Sequence, residues 1–269
     1  TDLPKNKFYP ASLAVTNDGK MFVTGEYFNA KDNILKDKSL GFGFWGMDTK
    51  GNTSSEKYVN WEDGLGKFLH VTSKGKIDDF GYMFIHNIVQ TADGQIFAVA
   101  EGMKKAASAL GIASTMLLGG GRGASMTKIK VTDMLIITFD KDFNVKAAKI
   151  YEKNSNSVEL PGGSELMGTT ILGKFLKYYW GGFDYNYTQL NSDMTSFSVC
   201  YSDYVRGKDY KGATFNSITY KNGKFTTDKI QTKSDASAST VLPGKQGQVL
   251  IIEYYRKAKK LEMHVEKLN

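Results

Sequence analysis

The sequence has little cysteine, proline or histidine, and it has no long hydrophobic run. Its 269 residues include one Cys, four Pro and three His. A single cysteine cannot form a disulfide within the chain, and no segment reaches the roughly 18 apolar residues that a transmembrane helix needs. Cys200 stands between Val199 and Tyr201 with no histidine nearby in sequence, so it is predicted to be a core residue and not a catalytic thiol.

The pattern of histidines and glycines predicts no metal site and no cofactor. His70, His86 and His264 are too far apart for a zinc motif, and His86 stands in an apolar strand, which favours a hydrogen-bonded core residue. The sequence shows no Asp-rich calcium loop and no serine nucleophile elbow. The glycine run at residues 119–123 lacks the strand, lysine and helix of a phosphate loop, so a flexible hinge is expected there.

Positive charge exceeds negative charge, with 35 Lys and Arg against 28 Asp and Glu and a formal net charge of +7. The lysines are scattered, and the densest group lies at residues 256–260. Scattered lysines are typical of solvated surfaces and protected sheet edges, so nucleic acid is not the predicted partner. Polyanion binding through residues 256–260 remains an alternative, and it would be steeply salt-dependent.

One hairpin pattern recurs along the chain: an apolar strand, a tight turn, a second apolar strand and an acid. Asp18-Gly19 and Asp93-Gly94 form its two clearest turns, and weaker copies turn near Asp193 and Gly247. Glycine takes the positive φ that such turns need, so an Asp-Gly pair between apolar runs indicates a β-hairpin.

The hairpins group into four related units with two insertions. The units cover residues 11–61, 84–151, 183–233 and 239–269, and the insertions cover residues 103–130 and 154–182. This predicts an all-β fold, a β-propeller-like array of antiparallel four-stranded units within a single domain of residues 1–269. A β-sandwich is the alternative. The fourth unit has no obvious outermost strand, which residues 7–9 or an earlier segment could supply.

Both insertions break the β pattern. Residues 163–182 carry apolar side chains at near-helical spacing, with Ser164 as the expected N-cap and Gly181 as the expected stop. Residues 106–118 are apolar and rich in small side chains, which indicates either a helix packed across the mouth of the fold or a docking element for another protein. The candidate contact residues of that element are Leu110, Ile112, Met116, Leu117, Leu118 and Arg122.

An acid stands at or near the end of the second strand of each unit: Glu26, Glu101, Asp203 and Glu253. The long loops are expected on the same side, and if the units surround an axis these acids form an acidic rim. A rim of this kind could bind a cation, hold a basic partner or supply an acid/base pair. The favoured interpretation is simpler, with each acid pairing with a lysine or capping a loop. Glu101 is expected to have the higher pKa and Glu26 to be more open.

Two functions follow from this layout. The favoured one is a non-catalytic protein that binds another macromolecule through its long-loop face, because no complete catalytic constellation is visible. The alternative is a glycan-active hydrolase or lyase that uses two of the acids. Its sugar platforms would come from the aromatic side chains of Trp45, Trp61, Tyr179 or Trp180.

Several segments carry a family resemblance: residues 131–134 with 139–143, Gly181-Gly182-Phe183-Asp184-Tyr185, residues 227–230, and the end of the chain from Val241. They resemble an uncharacterised family of exported bacterial proteins, known only as a domain of unknown function, over most of residues 84–269. Family members are longer and begin with a signal peptide. The resemblance implies a periplasmic or cell-surface location and an envelope protein or protein complex as partner, with glycan as a further possibility. It transfers no catalytic residue.

Overall fold

Strands dominate the computed structural model, which describes residues 5–15, 19, 21–118, 124–232, 236–245 and 247–268. The strands are β1 (Asn6–Val15), β2 (Met21–Asn29), β3 (Gly41–Met47), β4 (Thr53–Asn60), β5 (Lys76–Ile77), β6 (Gly81–Gln90), β7 (Ile96–Ala107), β8 (Ala124–Phe139), β9 (Val145–Tyr151), β10 (Asn156–Pro161), β11 (Tyr185–Leu190), β12 (Ser196–Arg206), β13 (Lys211–Lys221), β14 (Lys224–Gln231), β15 (Ala238–Pro243), β16 (Gln248–Tyr255) and β17 (Lys260–Lys267). The helices are α1 (Trp61–Leu65), α2 (Ala109–Leu118) and α3 (Thr169–Tyr178), and a 3₁₀ turn spans Ser164–Leu166.

The strands form four antiparallel sheets in chain order. Sheet 1 has the order β1-β2-β3-β4, sheet 3 the order β11-β12-β13-β14, and sheet 4 the order β15-β16-β17. Sheet 2 has the order β10-β8-β7-β6-β5, and β9 also pairs with β8. Strands joined by short turns, such as β3 with β4 and β13 with β14, pair as antiparallel hairpins. The predicted all-β class, with its consecutive antiparallel units, is confirmed.

The hairpin turns lie where the sequence predicts them. Gly51, Gly94 and Gly223 have φ values of +83°, +83° and +76°, which a side chain would disfavour. Asn222 precedes Gly223 at φ +51°, the pairing that a type I′ hairpin turn needs. Gly19 has φ +79°, while the other residues predicted for that turn, Asn17, Asp18 and Lys20, lie outside the described residues.

The chain divides into two compact units. The first comprises residues 1–90 and 94–183, and the second residues 91–93 and 184–269. The first unit has an aromatic core in which Phe42 and Phe139 meet edge to face with their centroids 5.5 Å apart. In the second unit, Cys200 and Phe215 of sheet 3 pack with Val249 and Ile251 of sheet 4. Cys200 is therefore a buried core residue, as predicted.

The insertion at residues 103–130 is an extension of sheet 2, which the sequence did not indicate. Strands β7 and β8 continue as a ladder from Met103↔Val131 to Ala107↔Thr127, and α2 follows at the end of β7. We call residues 103–118 and 124–131 the arm. Strand β10 pairs along the arm, and its Leu160 packs with Met103, Ile129 and Leu172 of α3. The base of the arm therefore has a core of its own.

Two further predictions are corrected by the structure. The helix of residues 163–182 begins at Thr169 with Gly168 as its N-cap, because Met167 is extended and ends the short 3₁₀ turn that Ser164 begins. Residues 7–9 do not complete the fourth unit, because Lys7 and Tyr9 pair with Phe28 and Glu26 of β2 in sheet 1. Among the residues that the structure describes, no helix combines the length and hydropathy of a bilayer span.

Candidate functional site

The four predicted acids occupy equivalent strands. Glu26 lies on β2, Asp203 on β12 and Glu253 on β16, and each of these is the second strand of its sheet. Glu101 lies on β7, the central strand of sheet 2, next to β6. Glu101 and Glu253 are buried, whereas Glu26 and Asp203 are half-buried. Of the two acids in the first compact unit, Glu26 is therefore the more exposed.

Glu101 is the centre of a buried polar cluster. His86 Nε2 lies 3.2 Å from Glu101 Oε2, and Lys153 Nζ lies 3.1 Å from Glu101 Oε1. None of these three side chains is exposed to solvent. Two oxygens of one carboxylate thus contact a ring nitrogen and an ammonium group, in an interior where such contacts are electrostatically strong.

Local irregularities bring the members of this cluster together. The β6–β7 register shifts between Ile85 and Asn87, so His86 stands at a β-bulge, a feature that re-aims a side chain. Lys153 follows the end of β9, where its backbone N–H donates to Asp133 Oδ1 at 3.0 Å. The rings of Phe84 and Phe183 lie 5.1 Å and 4.8 Å from the imidazole and exclude water from it.

Burial determines the protonation of His86. Desolvation lowers the pKa of His86 to about 4, the adjacent Glu101 carboxylate opposes that shift, and Lys177 and Lys153 add to it. A positive imidazole would lose its hydration in this setting, and one carboxylate beside two lysines does not compensate for that loss. His86 is therefore neutral at pH 7.

Glu26 has a separate set of partners. Thr170 Oγ1 donates to Glu26 Oε2 at 2.7 Å, and Ser39 also donates to this carboxylate. Burial raises the pKa of Glu26 despite these hydrogen bonds and the nearby Lys174 ammonium. Burial likewise lowers the pKa of Lys174, with Glu26 opposing the shift.

Helix α3 lies over both acids of the first unit. Thr170, Lys174 and Lys177 stand at i, i+4 and i+7, so they share one face of the helix. The first two act on Glu26. Burial lowers the pKa of Lys177, and the Glu101 carboxylate opposes that shift. Gly173 lets the helix approach closely, since a Cβ there would lie 2.5 Å from Phe84 Cδ2.

This geometry favours a structural role for the two acids. A hydrolytic carboxylate pair must contact substrate, whereas Glu101 is fully enclosed and held by His86 and Lys153. The predicted sugar platforms are dispersed: Trp61 is a core residue whose Nε1 donates to Ser39 O at 3.0 Å, and Trp45 stacks on Phe8 at 4.6 Å. Tyr179 is exposed and Trp180 is half-buried.

The remaining acids belong to the second unit. Asp203 Oδ1 accepts the backbone N–H of Tyr204 at 2.7 Å, and Glu253 Oε2 accepts the Tyr255 hydroxyl at 3.2 Å. Within the described residues, no group of three or more His, Cys, Asp and Glu side chains is arranged to hold a metal ion.

The arm presents an apolar helix. Met116 is 81% exposed, Leu117 is 84% exposed and Leu110 is exposed to a lesser degree, while Ile112 is half-buried. Leu118 ends α2, but its side chain lies outside the described residues, as does Arg122. The helix is anchored at its start, where Ser108 Oγ donates to Glu159 Oε2 at 2.5 Å and accepts the Gly111 N–H at 2.9 Å.

Sequence reasoning missed the basic residues around Glu101 and Glu26. Lys153 follows a strand whose predicted end gives no sign of an inward-pointing lysine. Lys174 and Lys177 were detectable in principle, because with Thr170 they form a polar stripe on the face of α3 that packs inward.

Comparison with known proteins identifies the family. The sequence profile of a family of unknown function, DUF6770, matches residues 1–269. The chain belongs to this family. The match extends the resemblance noted over residues 84–269 to the whole sequence. No curated protein matches the chain. One similar solved structure is the periplasmic gluconolactonase PpgL of Pseudomonas aeruginosa, at 10% sequence identity and a TM-score of 0.32, covering 97% of this chain and 71% of that one.

Proposed function

We propose that this member of the DUF6770 family is a non-catalytic binding module that docks on another protein through α2. The observation that carries the proposal is an uncharged, solvent-exposed apolar helix on a β-arm with its own core. The sequence of α2, Ala-Leu-Gly-Ile-Ala-Ser-Thr-Met-Leu-Leu, has no charged side chain. Exposed apolar patches of this kind mark interaction sites.

The arm is built to hold α2 in a fixed position. Its two strands remain paired as far as Ala107 and Thr127. Gly111 of α2 packs against the backbone of Ser125 so closely that a Cβ could not fit. A binding element held in place loses less conformational entropy on association than a flexible loop. Leu110 and Leu117 stand seven residues apart, so they lie on one side of the helix.

Charge and shape define the partner. Leu110, Met116 and Leu117 suit an apolar groove that receives a helix. The arm also carries Lys128 and Lys130 on β8, and the chain has a net charge of +7, so a groove bordered by acidic residues would be complementary. We further propose that this protein acts in the periplasm or at the cell surface and that its partner is an envelope protein or a protein complex; the family resemblance supports this.

The test introduces a photo-crosslinking amino acid at Leu117 and, as matched control, at Leu35, which is also exposed but lies outside the arm. A protein captured at Leu117 and not at Leu35 is then purified and titrated against the wild type, Leu117→Glu and Leu35→Glu. We expect Leu117→Glu to weaken binding by about tenfold or more, because it places a charge in an apolar contact. Leu35→Glu should bind like the wild type.

Two results would overturn the proposal. The first is equal affinity of the wild type and Leu117→Glu for the captured protein. The second is binding of the wild type to vesicles containing phosphatidylglycerol, lost in Leu117→Glu, without any protein captured at position 117. That second result would identify a lipid surface and not a protein as the ligand of α2.

A further inference from the structure

Within the described residues, sheet 4 has three strands where sheets 1 and 3 have four. Those two sheets finish with β4 and β14, whose exposed side chains are mostly Ser, Thr, Lys, Glu and Gln. In sheet 4 the last strand within the described residues is β17, which by its order corresponds to the interior strands β3 and β13. The outer edge of β17 is thus a template for a further strand.

The side chains of β17 also differ from those of the other final strands. Leu261, Met263 and Val265 are 56%, 64% and 57% exposed and alternate along one face of the sheet. Tyr254 of β16, paired with Leu261, extends this apolar face. Exposed apolar residues on an edge strand are avoided in isolated proteins because they promote association.

The backbone of the same residues faces outward. Leu268 donates its N–H to Gly247 O at 2.9 Å, and the β16–β17 register continues from there without a shift. Antiparallel residues alternate between bonding inward and pointing away from the partner strand. Counting back from Leu268, the N–H and C=O groups of Leu261, Met263 and Val265 therefore point away from β16.

We propose that β17 pairs antiparallel with β17 of a second copy of this chain, with Met263 opposite Met263 on the twofold axis. In this register Leu261 stands opposite Val265 of the second copy, so the apolar residues pair with each other. Each of these pairs uses backbone groups that face outward, so each can exchange two hydrogen bonds. The two three-stranded sheets become one continuous sheet of six strands.

The opposite face of β17 has complementary charges in this register. Lys260 stands opposite Glu266 of the second copy, and Glu262 stands opposite His264. Within one chain the same groups already pair, with Lys260 Nζ 2.7 Å from Glu262 Oε1. A register shifted by two residues in either direction places Glu262 opposite Glu262 or Glu266, and like charges directly opposite are destabilising. A shift by one residue places apolar side chains opposite charged ones.

Charge reversal provides a direct test, because the expected pairing is reciprocal. Lys260→Glu places two acids opposite each other at both ends of the pair, and Glu266→Lys places two lysines there. We expect the wild type to be a dimer by sedimentation equilibrium and each variant to dissociate about tenfold more readily. An equimolar mixture of the two variants should associate as tightly as the wild type, because every substituted side chain then faces its opposite charge.

Controls separate this edge from the arm and from general destabilisation. Thr226→Lys adds a lysine to the final strand β14 and should leave the dimer unchanged, as should Leu117→Glu in α2. Circular dichroism melting confirms that each variant is folded, and recovery of association in the mixture excludes misfolding as the cause of dissociation. A monomeric wild type, an unrestored mixture, or a dimer lost in Leu117→Glu and kept in Lys260→Glu would each overturn the proposal.

Discussion

Lys153 Nζ lies 3.1 Å from Glu101 Oε1, and both side chains are withdrawn from solvent. A buried ion pair of this kind contributes little net stability when compared with an apolar pair, because both charges lose their hydration. Removing only one partner is costly, because the other charge remains buried without full compensation. The pair therefore requires a positive charge at position 153, but it adds little to the stability of the fold.

The first prediction concerns this pair. Lys153→Met should lower the free energy of unfolding by about 3–5 kcal/mol, because the Glu101 carboxylate loses its ammonium partner. The double variant Lys153→Met with Glu101→Gln should be more stable than Lys153→Met alone, because the amide carries no charge and can still bond His86. Urea unfolding of the single and double variants measures the coupling. Additive effects of the two substitutions would contradict the pairing.

The second prediction concerns pH. The pKa of His86 is about 4 in the folded protein and 6.5 in an ordinary setting. Between these two pH values the unfolded chain binds a proton at His86 and the folded protein does not. The burial of His86 therefore costs no stability above pH 6.5, and it lowers the free energy of unfolding progressively as pH drops toward 4. The loss attributable to His86 is about 3 kcal/mol.

His86→Gln should remove this part of the pH dependence, which denaturant unfolding from pH 7 to pH 4 can measure against the wild type. His70→Gln is the matched control, because the His70 side chain is 86% exposed and its ring nitrogen pairs with Asp78, which is also exposed. Identical pH profiles of the wild type and His86→Gln would show that His86 is not held neutral by burial.

The predictable part of the fold is the part governed by local sequence. Turns at Gly51, Gly94 and Gly223 could be located because a glycine between two alternating apolar segments is a local sequence pattern typical of a tight turn. The ladder of the arm could not, because residues 103–107 carry no alternation that distinguishes a strand from a loop. The ladder is covered on its β8 side by β10, which begins only at Asn156.

The candidate site was predictable only in part. Repetition of the hairpin located Glu26, Glu101, Asp203 and Glu253 on equivalent strands. It could not reveal that Glu101 meets His86 and Lys153, since His86 stands at a bulge and the backbone of Lys153 is held by a hydrogen bond to Asp133. Contacts made by irregular backbone leave no periodic signal in the sequence.

The third prediction tests the packing of α3. Gly173→Ala should destabilise the first compact unit by about 1–3 kcal/mol, because the new methyl group would overlap the Phe84 ring and approach Met103 Cε to 3.1 Å. Tyr178→Ala, at an exposed position of the same helix, should change the stability much less. Thermal melting of the two variants makes the comparison. A stabilised Gly173→Ala would mean that helix propensity outweighs the close contact.

The fourth prediction concerns Cys200. Burial raises the pKa of its thiol to about 12, so almost none of it is thiolate at neutral pH. We expect no reaction with a chromogenic disulfide reagent in the native protein and one equivalent of reaction in guanidinium chloride. Ser202→Cys, two residues along β12 at an exposed position, should react immediately. Equal reactivity of the native wild type and Ser202→Cys would contradict the burial of Cys200.

The arm has a consequence for synthesis of the chain on the ribosome. Met103 on β7 and Ile129 on β8 pack against Leu160 of β10 and Leu172 of α3. The ribosome synthesises these two leucines later, so Met103 and Ile129 stay uncovered until then. During translation the arm therefore emerges well before the residues that enclose its base. We expect nascent chains that stop between β8 and α3 to bind chaperones that recognise exposed apolar segments, and chains that extend past Tyr178 to release them.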